Sequence, residues 1–137
     1  MLKSTVTAEF DKDIVTVWNV VTNLRDCSWR SDISRITVLS DPNSFIEYTK
    51  KGFPTKFDIT VKEAYERYEF DIENKNFSGH WTGCFHGLPG DRTQVEFTEE
   101  ILDVKNPVMR VIAKYFMNLK KMQMTYIEDL RDRLRTL

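Results

Sequence analysis

The sequence predicts an α+β fold in which one antiparallel sheet is covered by a single long helix at the carboxy-terminal end. Along most of the first 104 residues, apolar side chains alternate with polar ones, which is the period of strands that bury one face. Beyond them, apolar residues recur at intervals of three and four, which predicts an amphipathic helix. The apolar stripe of that helix consists of Val108, Ile112, Phe116, Leu119, Tyr126, Leu130 and Leu134.

This long helix is predicted to begin at Asn106 and Pro107 and to end near Arg135. Asn106 can accept hydrogen bonds from the first free N–H groups, and Pro107 has a helical φ at a position that needs no donor. A helix of that length would extend roughly 44 Å. Because the core of a small domain does not need so long a helix, we expect a wide sheet beneath it.

The amino-terminal segment predicts one strand followed by two short helices at about residues 12 to 27. Val6, Ala8 and Phe10 share one face of the strand. Asp11 is the expected N-cap of the first helix, whose apolar residues Ile14, Val17, Trp18 and Val21 have helical spacing. Residues 23–27 predict a second, brief turn of helix that ends near Trp29.

The strands that follow are predicted to form antiparallel hairpins, because turns separate consecutive alternating segments. The clearest turn runs from Leu88 to Asp91, where Pro89 fixes φ and Gly90 permits a positive one. The predicted inward faces carry Phe57, Ile59, Val61 and Tyr65; then Tyr68, Phe70 and Ile72; then Phe77, Trp81 and Phe85; and finally Val95, Phe97, Glu99 and Ile101.

The composition predicts a single domain spanning residues 1–137. With 20 basic and 21 acidic residues, the net charge of −1 gives no reason to expect a nucleic-acid partner. No apolar run reaches the ~20 residues of a membrane span, and no secretory signal is evident. We therefore expect a cytoplasmic protein without integral membrane association. Cys27 and Cys84 lack metal-ligand spacing, so neither a metal nor another cofactor is predicted.

Charge is uneven along the chain, because the segment from Pro107 onward contains seven Lys and Arg residues but three acidic residues. This pattern is typical of a solvated helix face with local ion pairs such as Asp129 with Arg133. The alternative is a docking surface for an acidic partner or a membrane.

Several segments, in their order and spacing, resemble the START-like or SRPBCC superfamily of polyketide cyclase/dehydrase-like and lipid-transfer proteins. These segments are Val6–Phe10, Val17–Trp18, Cys27–Trp29, Gly79–Gly83, Thr93–Glu100 and Gln123–Leu130, and the match covers essentially the whole chain. The resemblance implies a helix-grip fold, in which a curved seven-stranded antiparallel sheet wraps around the carboxy-terminal helix. It also implies a hydrophobic cavity between them, but no particular reaction.

A physical argument also predicts a cavity, because a curved sheet cannot contact a straight helix along its whole length. Helix methionines would suit flexible ligands in such a cavity. The alternative is that the Phe and Met side chains simply fill the core. The predicted ligand-binding residues are Trp29, Tyr48, Phe57, Phe70, Trp81, Phe85, Phe97, Met109, Ile112 and Phe116, and the candidates to orient a polar head group are Tyr48, Tyr65 and Tyr126.

Glu99 is the candidate catalytic residue. Strand alternation places it inward with Phe97 and Ile101, where burial would raise its pKa and favour a neutral acid or a general base. The alternatives are a bulge that turns Glu99 outward or an ordinary pairing with Arg or Tyr. The same alternation places His80 and His86 on the solvent side, which disfavours them as catalytic bases.

Three functions follow as hypotheses from these features. The first is binding of a small hydrophobic or amphipathic molecule, including a lipid, between the sheet and the helix. The second is a polyketide cyclase/dehydrase-like enzyme that uses Glu99 as acid or base. The third is an interaction module resembling chaperone-ATPase activators, which would use the basic face of the helix. Fold alone does not decide among them.

Overall fold

The computed structural model describes residues 2–105 and 109–137, and it describes side chains for residues 2–105 and 118–137. The order of elements begins with a strand and a helix, continues with six strands and ends with a long helix. The elements are β1 (Leu2–Phe10), α1 (Ile14–Thr22), β2 (Ile33–Val38), β3 (Ser44–Thr49), β4 (Pro54–Glu63), β5 (Arg67–Glu73), β6 (Phe77–Leu88), β7 (Arg92–Val104) and α2 (Met109–Leu134).

The seven strands form one antiparallel sheet, as expected. Their spatial order is β1-β7-β6-β5-β4-β3-β2, so β2 to β7 form a meander and β1 pairs with the last strand of that meander. The pairing register shifts in β2, in β4 and at the start of β6, and such irregularities bend strands. At Gly79 the strands approach so closely that an added Cβ would collide with the carbonyl oxygen of Glu100.

Helix α1 begins at a different cap from the expected one. Asp13, and not Asp11, is the N-cap, since its carboxylate accepts from the N–H of Thr16 at 3.2 Å and from the Thr16 hydroxyl at 2.7 Å. The carboxylate of Asp11 instead lies 3.5 Å from the guanidinium of Arg92. The helix therefore begins two residues later than the sequence suggested.

The predicted second short helix is wrong, because residues 23–32 form a loop. The side chain of Asn23 accepts from the N–H groups of Arg25 at 2.9 Å and of Asp26 at 3.3 Å. The carboxylate of Asp26 accepts from the N–H of Ser28 at 3.1 Å. These side chains bind N–H groups that a helix would use internally, which favours a turn.

Helix α2 confirms the predicted carboxy-terminal helix and packs against β1, β7 and α1. Its proposed start at Asn106 and Pro107 lies outside the described residues. The polar residue in its buried stripe, Gln123, is hydrogen-bonded: its amide donates to the carbonyl of Ser4 at 2.8 Å and accepts from the Ser4 hydroxyl at 2.6 Å. In the part of α2 whose side chains are described, the buried apolar residues are Leu119, Ile127, Leu130 and Leu134.

At one end of the sheet, α1 and the last turns of α2 pack directly against it. We call this region the closed end. The Trp18 ring contacts the Phe85 ring edge-on at a centroid distance of 5.0 Å, and the Arg131 guanidinium lies 4.8 Å from the Phe10 ring. The closed end consists of Phe10, Val17, Trp18, Phe85, Val95, Leu130 and Leu134, all of them buried.

Among the described helices, none has the length and apolarity needed to cross a bilayer.

Candidate ligand cavity

A cavity of about 360 Å³ lies between the other end of the sheet, the loop of residues 23–32 and α2. Its volume falls within the range of pockets that enclose small molecules. Aromatic side chains from five strands, the loop, the turn between β3 and β4 and the helix dominate its wall. They are Trp29, Phe45, Phe53, Phe57, Tyr68, Phe70, Phe77, Trp81, Phe97 and Tyr126.

The aromatic rings along the sheet lie against one another and form a continuous wall. Trp81 is stacked on Phe70 with centroids 4.8 Å apart and planes at 4°, and Phe45 is stacked on Phe57 at 4.9 Å. The Trp81 ring occupies space that a side chain at position 83 would need, because an added Cβ on Gly83 would lie 2.6 Å from its Cη2 atom. The absence of a side chain at Gly83 therefore lets the indole lie close to the sheet.

One part of the wall carries a charged cluster centred on Arg30. The guanidinium donates to Asp32 through Nε at 3.0 Å and Nη2 at 2.9 Å, and to Glu47 through Nη1 at 3.2 Å. It also lies 4.9 Å from the centroid of the Tyr126 ring. Burial alone would lower the pKa of Arg30, but Glu47 and Asp32 raise it by more, so the guanidinium stays charged.

Glu99 lies on the same wall without a partner. It stands opposite Trp81 in the β6–β7 pair, so strand alternation directs it to the concave face with Phe97. No described side chain forms a hydrogen bond or an ion pair with its carboxylate. Burial raises the pKa of Glu99 to about 7, the negative charge of Glu47 adds to the increase, and Arg30 opposes it. The carboxyl group is therefore placed to exchange a proton near neutral pH.

Two tyrosines complete the polar part of the wall. The Tyr68 Oη atom is buried and has no hydrogen-bond partner among the described residues. Burial, followed by the charge of Glu47, raises the pKa of Tyr68. Burial likewise raises the pKa of Tyr126, so both phenols stay neutral. A buried hydroxyl without a partner is rare in folded proteins, which marks Tyr68 as unusual.

Most of the described residues among the predicted lining set lie in this wall, namely Trp29, Phe57, Phe70, Trp81 and Phe97. Two others lie elsewhere. Phe85 belongs to the closed end, because α1 covers that part of β6. Tyr48 lies on the outer face of β3, where the Arg35 guanidinium is 3.8 Å from its ring centroid. The side chains of Met109, Ile112 and Phe116 lie outside the described residues.

Sequence reasoning missed Arg30, Glu47 and Tyr68 as site residues. The alternation of β3 carries the signal for Glu47, since Phe45, Glu47 and Thr49 all line the cavity. Of the candidate tyrosines, Tyr126 lines the cavity, whereas Tyr65 lies in the β4–β5 turn with a φ of 67°. Arg30 lies in the loop of residues 23–32, and the sequence pattern predicts helix for residues 23–27 of that loop, so it does not indicate where Arg30 lies.

The histidines lie away from the cavity. On the outer face of β6, His80 pairs with Glu69 through Nε2 and with Asp71 through Nδ1, both at 2.7 Å. Burial acts to lower the pKa of His80, but these two hydrogen bonds raise it by more. His86 is exposed. Among the described residues, no group of His, Cys, Asp and Glu has the geometry of a metal site.

Comparison with solved structures identifies the fold. A START superfamily protein from Mycobacterium smegmatis superimposes with a TM-score of 0.83 at 13% identity over 98% of this chain and 97% of that one. BexL, a di-domain ARO/CYC from the BE-7585A biosynthetic pathway, gives 0.80 at 9% identity over 98% and 47%. DynU16, from the dynemicin biosynthetic locus, gives 0.75 at 12% identity over 98% and 47%.

Because the match covers 47% of BexL and of DynU16, this chain spans about half the length of those two proteins. No model of a protein family matches the sequence, and no curated protein does. At such identities the likeness shows the fold and not the activity. The sequence resemblance and the superpositions agree on the fold, which is a START-like helix-grip fold.

Proposed function

We propose that the protein binds a small hydrophobic or amphipathic molecule in the cavity between the sheet and α2. The observation that supports this most directly is a cavity of about 360 Å³ whose wall combines aromatic rings with a buried polar cluster. Aromatic walls with a few fixed polar groups are typical of small-molecule sites.

The cost of leaving such a space empty also supports the proposal. Protein cores are packed nearly as densely as organic crystals, and the free energy of unfolding falls as the volume of a cavity rises. A packing defect would be expected to have apolar walls only. This cavity instead contains charged groups: Arg30 and Glu47 compensate each other, but Glu99 has no partner among the described residues, and its burial is unfavourable without one. A bound molecule would supply the interaction that Glu99 lacks.

Native mass spectrometry of the freshly purified protein tests the proposal, since a bound molecule adds a discrete mass that denaturation removes. A matched pair of variants on β2 links that mass to the cavity. Ile36→Trp places an indole on the cavity wall, whereas Val38→Trp adds the same ring at an exposed position outside the wall. We expect the added mass to be lost in the first variant and kept in the second. Equal retention in both would contradict the proposal.

A second candidate function is acid–base catalysis on a polyketide-like or aromatic compound. The observation that favours it is the pKa of Glu99, about 7, at a cavity wall that could hold such a compound. The test is to incubate the protein with the molecule recovered by mass spectrometry and to look for a product. Glu99→Gln should keep binding and abolish turnover; turnover that persists in the variant would exclude Glu99 as the acid or base.

The third hypothesis, an interaction module that would use the basic face of the helix, would be favoured by a filled core with an exposed apolar patch. An open cavity does not favour it, so we do not propose it.

A further inference from the structure

We propose that the ligand carries a cationic amine, and that this ammonium group lies between the carboxylates of Glu99 and Glu47 inside the cavity. The inference depends on the proposed binding function and specifies its ligand class.

The first argument is the balance of charge in the wall. Among the described residues that line the cavity, Arg30 is the one basic residue, and the acidic residues are Asp32, Glu47 and Glu99. The guanidinium of Arg30 already makes hydrogen bonds to Asp32 and Glu47. Glu99 has no such partner, so the described wall has an excess of acceptors and of negative charge. A ligand cation would balance this excess.

The second argument is which polar groups share the cavity wall with Glu99. The loop contributes Arg30 and Asp32, and β3 contributes Glu47; of these, Arg30 and Glu47 are close enough to act on the pKa of Glu99. Strand β5 contributes Tyr68, and α2 contributes Gln123 and Tyr126. Gln123 is engaged with Ser4, and both phenols are held neutral by burial. Among the described residues, therefore, none of these groups supplies a positive charge besides Arg30, and we place the ligand cation beside Glu99.

The third argument is the aromatic lining. Trp81 and Phe97 have ring centroids 4.9 Å apart, and Phe97 contacts Tyr126 edge-on at 5.6 Å. The faces of such rings attract cations, and the attraction increases when water is excluded. A carboxylate ligand would instead meet the negative charges of Glu47 and Glu99, which repel it. The cavity should therefore discriminate by the sign of the ligand charge.

Proton linkage gives a specific signature. The pKa of Glu99 is about 7 without ligand, and a neighbouring ammonium would lower it. Binding of an amine near pH 7 should then release protons from Glu99, whereas binding of an isosteric alcohol should not. Isothermal titration calorimetry in two buffers with different ionisation enthalpies measures that release directly.

The experiment compares n-octylamine, n-octanol and n-octanoate, which share one apolar chain and differ in the head group. We expect the full-length protein to bind the amine at least about tenfold more tightly than the alcohol at pH 8. The preference should decrease toward pH 6, where Glu99 is protonated while the amine stays charged. Octanoate should bind most weakly.

Glu99→Gln should reduce amine affinity by about tenfold or more, remove the proton release and leave octanol affinity nearly unchanged. Glu96→Gln is the matched control, because Glu96 lies on the exposed face of the same strand and should alter none of these values.

Equal affinity for amine and alcohol, or a preference for octanoate, would overturn the inference. If Glu99→Gln did not fold, the pH dependence of the wild-type preference would still decide, because a preference that is constant from pH 6 to pH 8 contradicts a role for Glu99. Binding of octanol without a preference for the amine would leave the proposed function intact and contradict only the inference that the ligand carries an amine. Failure of all three probes to bind would count against both.

Discussion

The two ends of the concave face are built on the same strands but differ in what covers them. At the closed end, α1 and the last turns of α2 lie directly on the sheet, and Val17, Val95 and Leu130 have no exposed surface. At the open end, which we define as the wall of the cavity, the loop of residues 23–32 faces the sheet across about 360 Å³ of free space.

The difference shows that one curved sheet can provide both a core and a binding site. Where a helix covers the sheet, aromatic and aliphatic side chains pack against one another and form a core. Where a loop covers it, the same kind of aromatic side chain forms a wall. We therefore expect substitutions to affect mainly stability at the closed end and mainly binding at the open end.

The largest expected effect is at the closed end. Leu130→Ala should lower the free energy of unfolding by about 2–5 kcal/mol, because the side chain is fully buried and its removal leaves a void. Leu24→Ala makes the same chemical change at a half-buried residue of the cavity wall and should cost under about 2 kcal/mol. Urea denaturation of both variants measures the contrast. Equal losses would mean that the two ends are packed alike.

The next effect concerns the pH dependence of stability at the open end. The pKa of Glu99 is about 7 in the folded state, compared with an ordinary value of 4.5, so the folded protein binds more protons between these values. The stabilisation from this group is therefore fully present below pH 4.5 and is lost as the pH rises through 7. The loss should be at most about 3 kcal/mol.

Unfolding free energies at pH 5, 6, 7 and 8 measure this dependence. Glu99→Gln should flatten the decline, whereas Glu96→Gln on the exposed face of β7 should follow the wild type. A decline of wild-type size in Glu99→Gln would assign it to another group, whereas the smaller decline that His80 contributes should remain.

A smaller effect is expected from the glycine beneath the indole. Gly83→Ala forces the Trp81 ring away from the sheet, which should cost about 1–3 kcal/mol and shift the tryptophan fluorescence. Gly87→Ala on the same strand is the control, since nothing lies within 4 Å of its added Cβ. We also expect weaker ligand binding in Gly83→Ala alone. Indistinguishable behaviour of the two variants would show that the indole position does not depend on Gly83.

The smallest effect lies on the outer face of the same strand. The folded pKa of His80 is raised, so its stabilisation is present below the pKa of a free histidine, about 6.5, and is lost as the pH rises through the folded value. His80→Gln should lower the free energy of unfolding by up to about 1 kcal/mol at pH 5.5 and by less at pH 9. Denaturation at the two pH values tests this, and a larger loss at pH 9 would contradict it. On this outer face the charges of His80, Glu69 and Asp71 are paired, whereas Glu99 on the cavity wall has no partner among the described residues.

The sequence predicted those parts of the structure that follow from a regular period. Strand alternation placed Phe97 and Glu99 on the concave face, and helical spacing identified Leu130 and Leu134 as buried residues of the long helix. Both periods arise from local geometry, and the side chains involved have few other environments available.

The remainder depended on side-chain hydrogen bonds within a loop and on contacts that are distant in sequence, neither of which a regular period reveals. Asn23 and Asp26 hydrogen-bond to nearby N–H groups, so a segment with the composition of a helix forms a loop. Glu47 acquires its significance only because the loop carries Arg30 to it from 17 residues away. Phe85 and Phe97 both point inward, and the difference between core and cavity comes from the position of α1. No single strand contains that information.

The attachment of the loop has a consequence for how the protein could acquire new ligands. Asp26 is held by Arg133 at 2.9 Å, the N–H of Ser31 donates to Asp129 at 2.8 Å, and Arg30 is held by Glu47. These anchors fix the loop to α2 and β3, while Cys27 and Trp29 between them, and Leu24 before the first of them, line the cavity. If the three anchors are kept, we expect substitutions at these three positions to change which ligands the cavity accepts while the strand pairing of the sheet stays the same. A library restricted to those positions would explore ligand specificity.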